Sequence, residues 1–209
     1  MPIPYGLIGF TGRAGSGKDT ACDYAVSDHN ATKFAFADPL RKIALSIDPV
    51  VGWSDGDSFH YSQALEGYGY AGSKELFPEF RRFLQRLGTE GLRDNVDQDF
   101  WVNLAEREIL GHLGSADSDR TLMVISDVRF ANEAEMIRHN GGIIVRVDRG
   151  EDGLTEGLAS HASETELESI DADLTIMNNG PFDQLFASVD TAVAVAFERS
   201  RAAQEEVMA

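Results

Sequence analysis

The sequence predicts an α/β fold: a three-layer α/β/α sandwich around a mainly parallel sheet. Three observations carry this. Apolar runs of strand length alternate with helical periodicities along the chain, and the first run passes through a glycine-rich turn directly into a helix. A later run at residues 121–127 is apolar without alternation, as a strand buried on both faces requires.

The first strand and its turn organise the rest. Gly12, Gly17 and Lys18 occupy the first seven positions of G-x-x-x-x-G-K-[ST], a loop that turns backbone N–H groups onto a phosphate while the lysine reaches the outer phosphates. The eighth position departs from the pattern, because Asp19 stands where a hydroxyl normally meets magnesium and Thr20 follows one residue later. Nucleoside and nucleotide kinases often carry this G-K-x-T form. The apolar strand before the loop and the helical pattern after it (Ala21, Ala25, Val26) make the prediction a P-loop NTPase core.

Downstream, residues 33–37 read as a short second strand, and Asp38-Pro39 opens a helix to Ser46. Arg41 and Lys42 lie in its first turns, where an open parallel sheet binds ligands, so they are substrate-binding candidates; ordinary helix surface is the alternative. Residues 48–72 lose periodicity and read as an excursion, a candidate flap. Residues 78–87 resume a helix with Phe80, Phe83, Leu84 and Leu87 on its apolar face, closed by Gly88. A short segment at 89–93 leads to a helix from Phe100 to about Leu113, with Asp99 as its N-cap. The run at 121–127 ends on Asp127, which resembles a Walker B position. Arg129 and Glu133 follow into a helix closed by Gly141-Gly142, and residues 143–147 form the next strand. Residues 148–163 have the length and composition of a lid. A last strand at 172–177, a turn at 178–181 and a long amphipathic helix from Phe182 complete the chain. Residues 1–209 are expected to form a single domain, with a helical acceptor lobe at about 38–113.

Composition narrows the partners. With 18 basic against 35 acidic residues the formal charge is −17, which repels nucleic acid and anionic membrane over most of the surface. Small anions remain accessible to a locally positive site. The lone Cys22 forms no intramolecular disulfide and suits a reducing compartment. No signal-peptide pattern or membrane-length apolar window is present, so a cytoplasmic location is expected, host cytoplasm for a phage-encoded chain.

Several segments together resemble the bacteriophage deoxynucleoside monophosphate kinases. They are the Gly-Ser-Gly-Lys-Asp-Thr loop, residues 36–40 (Phe-Ala-Asp-Pro-Leu), residues 84–93 followed by Phe100-Trp101-Val102, Asp127-Val128-Arg129-Phe130 with Asn132-Glu133, and His161-Ala162-Ser163-Glu164. The resemblance implies transfer of the ATP γ-phosphoryl group to a deoxynucleoside 5′-monophosphate, with ATP and Mg²⁺ required. The loop residues Arg13, Ala14, Gly15, Ser16, Gly17, Lys18, Asp19 and Thr20 would hold the ATP phosphates. Thr20 and Asp127 are the metal candidates; Asp127 either binds the metal through water or orients the acceptor, and Asp19 either assists or caps the helix. Arg129, two residues beyond Asp127, is the candidate acceptor-phosphate clamp, with a salt bridge to Glu133 as the compatible alternative. By similarity Arg82, Gln85, Gly88 and Trp101 line the monophosphate pocket, Trp101 stacking on the base and Gln85 bonding its edge. Arg146 or Arg149, with Arg149 preferred, would close over the transferring group. His161 and Glu164 match the lid motif. The rivals are a kinase for another small phosphorylated acceptor, such as phosphomevalonate, and a non-catalytic ATP-binding module. Base choice, sugar choice and oligomeric state, a homodimer included, stay open.

Overall fold

The computed structural model describes residues 5–54, 56–115, 121–150, 167 and 169–208. In chain order the elements are β1 (Tyr5–Thr11), α1 (Lys18–His29), β2 (Thr32–Phe34), α2 (Ala37–Ile47), β3 (Val50–Ser54), β4 (Asp57–His60), α3 (Tyr61–Leu76), α4 (Pro78–Gln85), a π-helical turn (Arg86–Arg93), α5 (Phe100–Ser115), β5 (Thr121–Ile125), α6 (Ala131–His139), β6 (Ile143–Asp148), β7 (Leu174–Met177) and α7 (Phe182–Met208). Residues 151–163 of the expected lid, His161 among them, and Glu164 lie outside the described residues, as do residues 116–120 of the linker before β5.

Five strands form a sheet in the order β2-β5-β1-β6-β7, and every pairing in it is parallel. The fold is therefore the α/β P-loop type read from the sequence. The centre of the sheet is fully apolar because it is covered on both faces. Leu7, Ile8 and Phe10 of β1 are wholly buried, and β1, β5 and β6 pack against Ala21, Cys22 and Ala25 of α1 and Leu185, Val189 and Ala192 of α7. All five strands point their carboxyl ends to one edge. That edge receives the loop after β1, Asp127 after β5, Arg149 after β6 and Asn178 after β7.

The chain divides into two compact units, Met1–Ala35 with Glu106–Ala209, and Phe36–Ala105. The second unit has its own core. The Tyr61 and Phe80 rings stack at 4.3 Å and 3°, closed in by Ala44, Val51, Ala64 and Leu84. Two expectations change here. Residues 48–72 are no excursion: they hold the antiparallel β3–β4 hairpin and most of α3, whose Val51, Tyr61 and Ala64 are buried. Nor does Gly88 end a helix, since it sits inside the π-helical turn. Its missing Cβ leaves room for Leu40 of α2, whose Cδ2 would lie 3.0 Å from that atom. Both errors have one cause, because partners distant in sequence supply the apolar surface and space that local periodicity does not reveal.

Candidate active site

The loop joining β1 to α1 turns on glycines in conformations closed to other residues. Gly12 has φ +140 and Gly17 φ +102. A Cβ at Gly12 would fall 2.3 Å from the Val147 carbonyl oxygen, and one at Gly17 2.2 Å from Asn178 Nδ2. Lys18 folds back over the loop, its Nζ donating to the carbonyl oxygens of Gly12 and Arg13, both at 2.7 Å. The Ser16 N–H donates to the Arg13 carbonyl at 3.2 Å. Arg13, Ala14 and Gly15 are exposed along the loop's outer edge. Gly17 is the N-cap of α1 with no side-chain cap bond, so the start of that helix presents backbone N–H groups beside the loop. Thr20 is half-buried in its first turn.

Asp19 does not cap α1. Its carboxylate is 85% exposed and lies 3.9 Å from Lys33 Nζ, which also bonds Asp23 at 2.7 Å. Burial pulls the Lys33 pKa down, but the hydrogen bond with Asp23 and the nearby carboxylates outweigh it, leaving the ammonium above its ordinary value. Cys22, one turn along the same helix, is fully buried, and desolvation pushes its thiol pKa up. It is packing, with no exposed thiol chemistry.

Asp127 is fixed from both sides. The Ser126 N–H donates to the Phe34 carbonyl at the end of β2 (3.1 Å), and the Val128 N–H to the Phe10 carbonyl near the end of β1 (3.2 Å). Asp127 is therefore held half-buried beside the strand that delivers the phosphate loop. Arg129 is exposed; its backbone N–H donates to Glu133 Oε2 at 2.7 Å, and the Phe130 N–H reaches the same oxygen at 3.1 Å. Glu133, only 4% exposed, is thus the N-terminal lock of α6 and sets where Arg129 leaves the strand end. The two candidate closing arginines part company. Arg146 Nη2 donates to the carbonyls of Ile170 (2.5 Å) and Leu167 (3.4 Å), whereas Arg149 Nη1 donates to Gly15 of the phosphate loop at 3.2 Å.

The remaining candidates belong to the second unit. Arg41 pairs with Asp38 at 2.9 Å and lies 4.3 Å over the Tyr70 ring; Lys42 is exposed beside it. Arg82 is exposed and pairs with Glu79 at 2.5 Å. Gln85 ends α4 and leads into the π-helical turn. Trp101 is buried to 7% exposure, edge-on to Phe100, and its Nε1 donates to the Gly88 carbonyl at 2.8 Å. The indole therefore fastens the turn that carries Gly88 and follows Gln85.

A model of the deoxynucleotide monophosphate kinase family matches residues 74–189, more than half of the chain. The chain belongs to that family. A protein of Acanthamoeba polyphaga mimivirus, assigned to the same activity by its name, is 32% identical over 204 residues, covering 90% of this chain and 95% of that protein. The deoxynucleotide monophosphate kinase of Enterobacteria phage T4 is 29% identical over 244 residues, covering 90% of this chain and 99% of the phage protein. The deoxynucleoside-5′-monophosphate kinase of Escherichia phage T5 is 27% identical and covers 63% and 71%.

In this deoxynucleotide monophosphate kinase family member the sheet edge gathers residues 12–20, Asp127, Arg129 and Arg149 from separate strands, and Asn178 joins them. Among the described residues, Asn178 is a contributor that the motifs do not mark. It sits at the end of β7, 7% exposed, with Nδ2 donating to the Ser16 carbonyl at 2.8 Å and its backbone N–H to the Asp148 carbonyl at 2.6 Å. Its position directly after the last strand was the only available signal. Two hydroxyls in the same loop region, Thr11 Oγ1 and Ser16 Oγ, are buried without a hydrogen-bond partner among the described residues.

Proposed function

We propose that the protein transfers the γ-phosphoryl group of ATP to deoxynucleoside 5′-monophosphates, producing the diphosphate and ADP. The observation that carries this is the glycine loop with Lys18 on the same sheet edge as Asp127 and Arg129, in a chain that matches the family over residues 74–189. The loop suits a polyphosphate: its glycine conformations exclude side chains, and the buried Ser16 hydroxyl has no protein partner among the described residues.

Transfer between two anions needs charge stabilisation and in-line placement more than covalent help. On this reading Lys18, the Ser16 hydroxyl and the backbone N–H groups of residues 14, 15 and 17–20 hold the β- and γ-phosphates, with Arg13 and Asp19 at the rim. Thr20 and Asp127 would hold Mg²⁺, which supplies charge neutralisation between the phosphates. Two protein oxygens would suit such an ion, which is commonly held by one or two side chains beside substrate phosphates. Arg129 binds the acceptor phosphate, oriented through the backbone by Glu133. Arg82, Gln85, Arg41 and Lys42 of the second unit are assigned to nucleotide binding, and Trp101 with Gly88 holds the turn that follows Gln85. Arg149 already reaches the phosphate loop and is the proposed arginine over the transferring group.

The test is direct. Purified protein with Mg²⁺ and ATP, incubated with each common dNMP and NMP in parallel, should convert at least one dNMP to its diphosphate with stoichiometric ADP. Absence of product from the whole panel, with ATP still bound, overturns the reading.

A further inference from the structure

The phosphate loop is held in shape from outside as well as by its own sequence. Its backbone carbonyls cannot face a phosphate without repelling it, so each must find a donor of its own. Lys18 takes those of Gly12 and Arg13, and the N–H of Ala21 takes that of Gly17 at 3.0 Å. Arg149 takes that of Gly15 through a long arm at the surface. The Ser16 carbonyl is different. It meets the amide of Asn178, a short neutral side chain 162 positions away in sequence and buried with its partner.

We propose that Asn178 is a positioning residue for the phosphoryl donor: by binding the Ser16 carbonyl it turns the Gly17 peptide N–H toward the triphosphate. The proposal rests on the reading of this loop as the ATP site. Three features support it independently. Asn178 is itself braced, its backbone N–H donating to Asp148 at the end of β6, so the amide is anchored to two strands. Gly17 has a φ of +102, a conformation that leaves room for the amide, whereas a Cβ there would stand 2.2 Å from Nδ2. The peptide whose oxygen is held is Ser16–Gly17, so its own N–H, one residue before Lys18, must point to the opposite side. A carboxylate of the same shape at position 178 would present an acceptor to an acceptor and push that peptide over.

The test compares Asn178→Asp and Asn178→Ser with the parent by isothermal titration with ATP and, separately, with dNMP, alongside steady-state kinetics. Expected is a fall of about tenfold or more in ATP affinity and a matching rise in the ATP KM for Asn178→Asp, with the dNMP KM within about twofold. Lowering the pH should partly restore Asn178→Asp, because a protonated carboxyl donates again, and should leave Asn178→Ser unchanged. A purely structural role would lower thermal stability and move both substrates alike. ATP affinity within about twofold of the parent in both folded variants would overturn the inference. Should neither variant fold, side-chain amide exchange in the ¹⁵N-asparagine-labelled parent decides: slow exchange at Asn178 and a shift on adding a non-hydrolysable ATP analogue support it, and exchange at the rate of a free amide overturns it. A parent that binds ATP but phosphorylates no dNMP overturns the proposed reaction and leaves the positioning of ATP standing, so the two failures are distinguishable.

Discussion

Glu133 Oε2 accepts the backbone N–H of Arg129 at 2.7 Å, so the side chain that starts α6 also fixes the main chain of the proposed clamp. Because Glu133 is 4% exposed, removing it takes a buried acceptor from two part-buried bonds, those of the Arg129 and Phe130 N–H groups. Glu133→Ala should lower stability by about 1–3 kcal/mol, and Glu133→Gln, which keeps an acceptor oxygen, by about 1 kcal/mol or less. Urea unfolding checks this; equal midpoints for Ala, Gln and parent would remove the lock.

Arg129 itself offers a cleaner handle on the chemistry. Its bond to Glu133 is made by the backbone, so Arg129→Ala keeps that contact while deleting the exposed guanidinium. The variant should raise the dNMP KM by more than about tenfold while the ATP KM stays within about threefold. Varying each substrate at saturation of the other separates the two; a uniform loss for both, or no change for either, takes Arg129 out of the acceptor site.

Trp101 can be interrogated by its own emission. The chain has two tryptophans, and Trp53 is 74% exposed against 7% for Trp101. Trp53→Phe should therefore leave a single blue-shifted emitter that acrylamide quenches poorly. With its Nε1 on the Gly88 carbonyl the indole holds the π-helical turn, so saturating dNMP should change the emission little. Deep quenching by dNMP would instead return Trp101 to stacking on the base. Trp101→Phe keeps the ring and loses the bond, at about 1 kcal/mol of stability.

Acid sensitivity is built into the turn after α2. Asp48 adopts φ +48, and its carboxylate accepts the Ser62 backbone N–H at 2.8 Å and the Ser62 hydroxyl at 3.1 Å. The backbone hydrogen bond from Ser62 is the main cause that holds its pKa below the ordinary 3.8, helped by the hydroxyl and His60. A depressed carboxylate stabilises the fold above the unfolded value, and the contribution is lost as pH falls through the lower folded one. Asp48→Asn, which still tolerates a left-handed backbone, should give a shallower fall in stability below pH 3.8 than the parent. Parallel curves for the two proteins would show that Asp48 titrates normally.

Much of this protein is written locally. The loop at residues 12–18 needs only a strand, glycines at two turns and a lysine at fixed spacing, all contiguous, so its motif carries both structure and chemistry. The apolar run of β5 and the apolar start of β6 likewise announce buried strands, and Pro78 with its following apolar stripe announces α4. What stayed hidden depends on partners far along the chain. Residues 48–72 looked polar and irregular because their apolar surface is completed by Phe80 and Leu84. Gly88 looked like a helix end because a glycine's usual local meaning is termination, whereas here Leu40 and the Trp101 N–H use the space and the carbonyl. The sequence by itself determined that a glycine-rich loop with phosphate-binding spacing follows β1 and that Asp127 and Arg129 follow a neighbouring buried strand. Only the tertiary structure decided that Glu133 locks the Arg129 backbone and that Asn178, at the end of the last strand, closes on Ser16. A hydrogen bond between residues 162 positions apart leaves no periodicity, and sheet order alone brings its two ends together.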